Sequence, residues 1–310
     1  MPLPTPEQGQ IRVRVIFSGV SPGTESRCFV GQQAGAPDTG FVPGYQAIGA
    51  VEVSRDPAFS PGNLVMIHGT SKAPFPLMWG GHVSHAVVEA GKAYRIDKTL
   101  SLETAAFAKL AAIAQHGISM AAIAPEESVT VVGLGMVGFF SALILNTMGR
   151  RLTAWDLSPR RVALAKSAGI DAHCSRDVPD LAEAISANAA PDVLIDATGA
   201  PGLLNKLMRA GKELPWGVSG SRGLRLVVQG SYPGEISIAY DTAFTREVQL
   251  LFPRDSTPAD TRTVLDLMQE NRLVLPKGAV RVVPPREVQT VYETLAEPEV
   301  LSTAFDWRGA

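Results

Sequence analysis

The sequence predicts an α/β protein, with a doubly wound parallel sheet in the middle of the chain and mainly β structure around it. Three observations predict this. Apolar runs at 129–133, 152–156, 192–197, 225–230 and 248–252 alternate with helix-compatible segments, the pattern of successive βαβ units. Residues 11–17 and 82–88 alternate or run apolar as strands do, and dense glycine and proline between 19 and 81 imply short strands and loops rather than helices. The last stretch, from Arg281 to Trp307, reads as a strand, a helix and a final strand that rejoin the first segment. The expected division is 1–117 with 273–310, and 118–272.

Composition narrows the class. A chain of 310 residues with 45% apolar and 19% charged side chains fits a soluble globular protein and excludes a disordered or fibrous one. The formal net charge of −2, without a basic block, gives no footprint for nucleic acid. Lys109, His116 or the glycines near 133 interrupt every long apolar stretch, so no membrane span is expected. The opening MPLPTPEQGQ lacks the charged-then-apolar order of a signal peptide. Two cysteines, Cys28 and Cys174, are too few for a four-cysteine structural zinc, and a cytoplasmic chain keeps such thiols reduced. A cytoplasmic enzyme acting on a small molecule is the expectation.

Residues 129–156 carry the strongest signal. An apolar run precedes Gly133, Gly135 and Gly138 in G-x-G-x-x-G spacing, and a helix-compatible segment leads to a second apolar run ending in Asp156. Gly133 permits the tight turn, Gly135 lets the backbone approach a pyrophosphate, and Gly138 lets the helix pack close on the sheet. Met136 and Val137 open that helix, whose free N–H groups and positive end meet phosphates. This is the Rossmann dinucleotide signature. Asp156 lies 18 residues after Gly138, where an acid meets ribose hydroxyls, and its charge favours NAD over NADP. Arg160 and Arg161 follow closely, but Ser158 and Pro159 read as an N-cap and first helical residue that place them inside the next helix.

The remaining elements follow in order. Ser101 is an expected N-cap for a helix through residue 123, and another helix is expected at 258–270. Residues 211–223 read as an exposed loop. The run 248–252 is an apolar strand expected at the sheet edge, where two copies of the chain would pair as a homodimer.

This order resembles the medium-chain dehydrogenase/reductase superfamily over nearly the whole chain. The segments that carry the resemblance are SGVSPGTES (18–26), FVPGYQAIGAVEV (41–53), FSPGNLVMI (59–67), WGGHVSHAVV (79–88), the Rossmann core and DVLIDATGAPG (192–202). SGVSPGTE, PGYQAIG and the closing AFDW are most similar to the bacteriochlorophyllide a dehydrogenase-type subfamily, which oxidises a hydroxyethyl group on a chlorin ring. The resemblance implies a mainly β GroES-like catalytic domain beside the Rossmann domain, and adds Thr198 and Gly199 to the cofactor-binding residues. Zinc-dependent members show G-I-C-G-T-D, G-H-E and a later acid or cysteine. Here Pro22, with Ser21 beside it, Gly44-Tyr45-Gln46 and Lys109 stand at those places, and the structural-zinc lobe is missing.

The expectation is therefore no metal. Lys109 is the first candidate for the alcohol proton, because the resemblance places it where a ligand faces the nicotinamide. It would act as general base or as cationic stabiliser of a developing alkoxide. Tyr45 is the second candidate, its phenol donating to the substrate oxygen beside a nearby ammonium. Thr24 matches the hydroxyl that relays protons in zinc-containing relatives. Glu25 reads as a first-turn acid or an orienting partner. His82 and His85, three apart on an expected strand, face opposite ways. His116 reads as a satisfied core histidine, and His173 as a surface-loop residue. The expected function is zinc-independent, NAD-dependent hydride transfer to or from a secondary alcohol of a polyol, sugar-like or pigment-type compound. The alternatives are an NADPH-dependent quinone or enoyl reductase and a non-catalytic dinucleotide-binding protein.

Overall fold

A computed structural model describes residues 5–217, 222–232, 234–295 and 300–309. The chain divides into two compact units, Met1–Leu110 with Thr261–Ala310, and Ala111–Asp260. The described strands, in chain order, begin with β1 (Gln10–Gly19), β2 (Ala47–Ser54), β3 (Leu64–Ile67), β4 (His85–Glu89) and β5 (Tyr94–Arg95). Then come β6 (Ser128–Val132), β7 (Arg151–Asp156), β8 (Ala172–Cys174), β9 (Val193–Asp196), β10 (Arg225–Val228) and β11 (Gln249–Leu251). The last two are β12 (Val280–Val283) and β13 (Ser302–Asp306). The fold is α/β, with one mixed and one fully parallel sheet.

The first unit is built on a seven-stranded sheet ordered β12-β13-β1-β2-β3-β5, with β4 also paired to β1. Alternate residues of β1, namely Ile11, Val13, Val15 and Phe17, are buried, and the first three pack with Val51, Val65, Ile67 and Ala86. The tail returns to this sheet: Phe17 of β1 registers against Asp306 of β13 in an antiparallel pair.

The second unit carries a six-stranded sheet ordered β11-β10-β9-β6-β7-β8. Every pair in it is parallel. Its central strands β6, β9 and β10 are buried on both faces, and so they read as continuous apolar runs rather than alternating ones. The helix Met136–Thr147 follows β6, with Phe139, Phe140, Leu143 and Ile144 buried.

Several local expectations are corrected. The glycine- and proline-rich stretch after 19 contains a helix, Pro22–Phe29, because Pro22 at its first position pre-sets a helical φ. The helix expected from Ser101 is two, Leu102–Ala105 and Ala108–Ala121. Between them Phe107 N–H donates to the Thr104 carbonyl, a tighter turn, and the Phe107 ring is fully buried. The strand expected from 82 starts at His85, since Gly81 is held by the carbonyls of Pro43 and Gly44. The strand β8 has only three residues, too few to show a period. Part of the loop expected at 211–223, residues 218–221, lies outside the described residues.

Candidate dinucleotide and proton-transfer sites

The dinucleotide candidates gather at the carboxyl ends of the parallel strands of the second unit, where ligands of such sheets bind. Gly133 follows β6 with φ +90°, and a Cβ there would lie 2.8 Å from Thr198 Cγ2. A Cβ on Gly138 would lie 1.8 Å from the Gly133 carbonyl oxygen. A Cβ on Gly135 meets no atom within 4 Å, so this is the side of the loop open to a pyrophosphate. Gly135 is the N-cap of the helix Met136–Thr147, and its carbonyl is taken first by Phe139 N–H. That leaves the amides of Met136, Val137 and Gly138 as the helix's first-turn donors.

Asp156 ends β7 and is 6% exposed, its Oδ2 accepting from Leu134 N at 2.6 Å and its Oδ1 from Ser158 N at 2.7 Å. Each oxygen keeps a further acceptor site for a ribose hydroxyl. The helix Pro159–Ser167 is capped by Ser158 as expected. Its position does not take Arg161 away, because Nη1 lies 3.7 Å from Asp156 Oδ2. Thr198 is oriented by fully buried Asp196, which accepts from its N–H at 3.0 Å and its hydroxyl at 2.6 Å. Gly199 has φ +64°, and a Cβ there would meet the Ser231 carbonyl at 2.5 Å. Tyr232 donates to the other Asp196 oxygen, and burial with that neighbouring carboxylate pushes its phenol well above the usual range. Gly133, Gly135, Met136, Val137, Gly138, Asp156, Thr198 and Gly199 thus fit a dinucleotide.

The proton-transfer candidates belong to the first unit. Tyr45 is half-buried, its hydroxyl 2.5 Å from Ser21 Oγ and its ring edge-on to Trp79 at 5.3 Å. Trp79 is a non-glycine residue at φ 71° and is partly exposed beside Tyr45. Backbone held in that region is costly, and such residues gather at functional sites. Thr24 is half-buried within the helix Pro22–Phe29. Lys109 is half-buried in the first turn of the helix Ala108–Ala121. Next to it, Leu110 N–H donates to Gln46 Oε1 at 3.3 Å, and Gln46 Nε2 donates to the Gly19 carbonyl at 3.4 Å. One buried amide side chain therefore ties the segments of Tyr45, Lys109 and Ser21 together.

Behind Ser21 lies a buried polar chain. Glu25 is fully buried; its Oε1 accepts from Ser21 N at 2.8 Å and its Oε2 from His82 Nε2 at 2.8 Å. Tyr292 donates to the same Oε2, and burial together with the Glu25 charge pushes the Tyr292 phenol well above its usual range. His82 Nδ1 bonds Ser18 Oγ at 2.8 Å, and Trp307 Nε1–H donates to that oxygen at 2.9 Å. His82 therefore sits in the loop before β4, and Glu25 is more than a first-turn acid. The sequence signal was present only as separate letters, since 18, 25, 82, 292 and 307 share no local period. Burial, followed by the charge of Glu25, also raises the Cys28 thiol.

Zinc does not fit this donor set. A serine hydroxyl, a phenol and an ammonium are not usual zinc ligands. Among the described residues, no three or more His, Cys, Asp or Glu side chains group to hold a metal. The other histidines are engaged elsewhere. His116 Nδ1 bonds Asp260 at 2.9 Å. Burial works to raise Asp260, but hydrogen bonds from Thr257, Ser119 and His116 outweigh it and hold the carboxyl below its usual range. His173 lies on β8, stacked on Trp155 at 4.7 Å, rather than in a surface loop.

No protein-family model matches the chain. It is 30% identical over 319 residues to 2-desacetyl-2-hydroxyethyl bacteriochlorophyllide A dehydrogenase of Rhodobacter capsulatus, covering 99% of this chain and 93% of that one. Among solved structures, it is similar to acetophenone reductase from Geotrichum candidum in complex with NAD, with a TM-score of 0.83 at 16% identity over 100% and 93% of the two chains. It is equally similar to a protein described as a zinc-binding dehydrogenase from Sinorhizobium meliloti 1021 bound to NADP, with a TM-score of 0.83 at 17% identity over 99% and 94%.

Proposed function

This chain belongs to the medium-chain dehydrogenase/reductase superfamily, and from that premise we propose that it is a zinc-independent, NAD-linked alcohol dehydrogenase. Its substrate is a secondary alcohol of a polyol, sugar-like or pigment-type compound. The observation that carries the reading is the Tyr45–Ser21 hydrogen bond of 2.5 Å, which joins the residue the resemblance sets at one zinc-ligand place to the neighbour of Pro22, the residue it sets at another. The bound dinucleotide supplies the nicotinamide that accepts or returns hydride. The glycine loop and the amides of Met136, Val137 and Gly138 hold its phosphates, Asp156 takes the ribose, and Thr198 and Gly199 line the same strand ends. Tyr45, Lys109 and Thr24 handle the alcohol proton and position the hydroxyl. Lys109→Ala should lose alcohol turnover at least a hundredfold while NADH binding stays within twofold, in the range of acid–base contributions. Unchanged turnover removes the role given to Lys109.

A second reading, an NADPH-dependent quinone or enoyl reductase, is favoured by Arg161, whose guanidinium lies 3.7 Å from Asp156 and could meet a 2′-phosphate. The negative charge at Asp156 supports the first reading. We further propose a homodimer paired through β11, which is an edge strand of the parallel sheet. The free thiols Cys28 and Cys174 support a cytoplasmic location. No described helix is long and apolar enough to cross a membrane.

A further inference from the structure

We propose that Ser21, Tyr45 and Lys109 form a metal-free acid–base set in which Tyr45, rather than Lys109, takes the alcohol proton. This rests on the dehydrogenase reading above and assigns the division of labour within it. Ser21 is 5% exposed, and its backbone is fixed twice by Glu25: Ser21 N–H donates to Glu25 Oε1, and Glu25 N–H donates to the Ser21 carbonyl, each at 2.8 Å. Glu25 is itself clamped by His82 and Tyr292. Tyr45 is fixed from its other side. Gly44 before it has φ +86°, and a Cβ there would lie 2.7 Å from the His82 ring, so only glycine fits. Gln46 after it holds the Leu110 amide, which places the Lys109 turn beside the Tyr45 segment.

A phenol becomes a base near neutral pH only if its anion is stabilised. A hydroxyl donor within hydrogen-bond reach and a nearby ammonium are the two groups that do this. Ser21 is placed for the first role, its Oγ 2.5 Å from the phenol oxygen and now accepting from it, a bond that reverses once the phenol loses its proton. The second role is assigned to Lys109 because Gln46 holds its turn against the segment of Tyr45. The carboxylate of Glu25 acts in the opposite sense. Its oxygens, however, are occupied by Ser21 N–H, His82 and Tyr292.

In the oxidative direction the alcohol O–H bond breaks and its proton passes to the Tyr45 phenolate oxygen. A bound oxidised nicotinamide would take the hydride that leaves with the electron pair of the broken carbon–hydrogen bond as the C=O bond forms. Ser21 O–H donates to the phenolate before the transfer and accepts from the phenol after it. The Tyr45 proton is then released to water. Atoms and charge balance as alcohol plus oxidised dinucleotide giving ketone, reduced dinucleotide and one proton.

The test is a pH titration of this 310-residue chain labelled with ¹³C at the ζ carbon of its five tyrosines, with the Tyr45 signal identified by its loss in Tyr45→Phe. Tyr45 is expected to ionise at least about one pH unit below a free tyrosine's value of about 10, and Lys109→Met should move it up by about a unit or more. Lys109→Arg should keep it low, and Ser21→Ala should raise it. The other tyrosine signals report whether each variant is folded; if Ser21→Ala does not fold, Lys109→Met decides alone. A Tyr45 signal at or above the free value, or one that Lys109→Met leaves in place, overturns the proposal. The measurement contains neither dinucleotide nor alcohol. If neither dinucleotide binds, the dehydrogenase reading falls whatever Tyr45 does, and if alcohol oxidation is found but Tyr45 ignores Lys109, only this assignment falls.

Discussion

The Gly133 carbonyl oxygen stands 1.8 Å from the place where Gly138 would carry a Cβ. The helix after β6 therefore starts as close to its own strand as a polypeptide allows, which turns its first amides toward the end of the sheet. Gly138→Ala should overpack this contact and cost about 3 kcal/mol or more, read as a large fall in Tm. Gly135→Ala makes a sharp contrast, since its Cβ enters open space at a backbone φ of −65°. That variant should keep the wild-type Tm and lose NADH affinity at least tenfold. Equal thermal stability in the two variants would contradict this account of the loop.

Asp156→Asn removes the charge at the β7 end and leaves only one of the two oxygens that accept from Leu134 N–H and Ser158 N–H. NADH binding should weaken roughly ten- to hundredfold, the size of one or two charge-assisted hydrogen bonds, and the preference against NADPH should shrink. Asp156→Asn together with Arg161→Ala separates the two effects. If Arg161 meets a 2′-phosphate, the double variant binds NADPH more weakly than Asp156→Asn does; if it does not, the two bind NADPH alike.

Glu25 and its partners should dominate the stability of the first unit's site. Glu25→Ala strands His82 and Tyr292 in a buried place and should cost about 3 kcal/mol or more in denaturant unfolding. Tyr292→Phe removes one donor and should cost about 1.5–3 kcal/mol. The pH dependence has a definite sign. The Tyr292 phenol holds its proton more tightly when folded, so its contribution is complete below the ordinary tyrosine value of about 10 and declines as pH rises beyond it. Wild type should lose stability above about pH 10 more steeply than Tyr292→Phe, and identical alkaline slopes would contradict the contact.

The helix Tyr240–Thr245, which precedes the edge strand β11 in the chain, carries exposed aromatics. Trp216 is 83% exposed and its ring is 5.9 Å from Phe244, which stacks on Tyr240 at 5.4 Å. Sedimentation at micromolar concentration should show a dimer. Leu250→Pro, which removes an amide and bends the edge strand, should shift it toward monomer. A wild-type monomer under those conditions would remove the homodimer proposal.

The two halves of the account were unequally legible in the sequence. The dinucleotide loop is local, and G-x-G-x-x-G followed by Asp156 encodes strand, turn, helix and ribose acid within 28 residues, 129–156. The fold class followed from the alternation of apolar runs for the same reason. The buried chain from Trp307 through Ser18 and His82 to Glu25 and Tyr292 is long-range, joined only by tertiary packing. His82 was legible as a histidine but not as Glu25's partner, because its loop is set by Gly81 bonding across to Pro43 and Gly44. Ser21 was visible beside Pro22, yet its bond to Tyr45 spans 24 positions and leaves no pattern. Arg161 shows the reverse limit: its helix was foreseen, and its side chain still reaches back to Asp156.

The central claim, a dehydrogenase that uses NAD, is tested most directly by titrating the purified chain with NADH and with NADPH while following quenching of its tryptophan fluorescence. The account predicts saturable NADH binding, at least about tenfold tighter than NADPH, a difference of about 1.4 kcal/mol. Tighter binding of NADPH, or binding of neither, would contradict it.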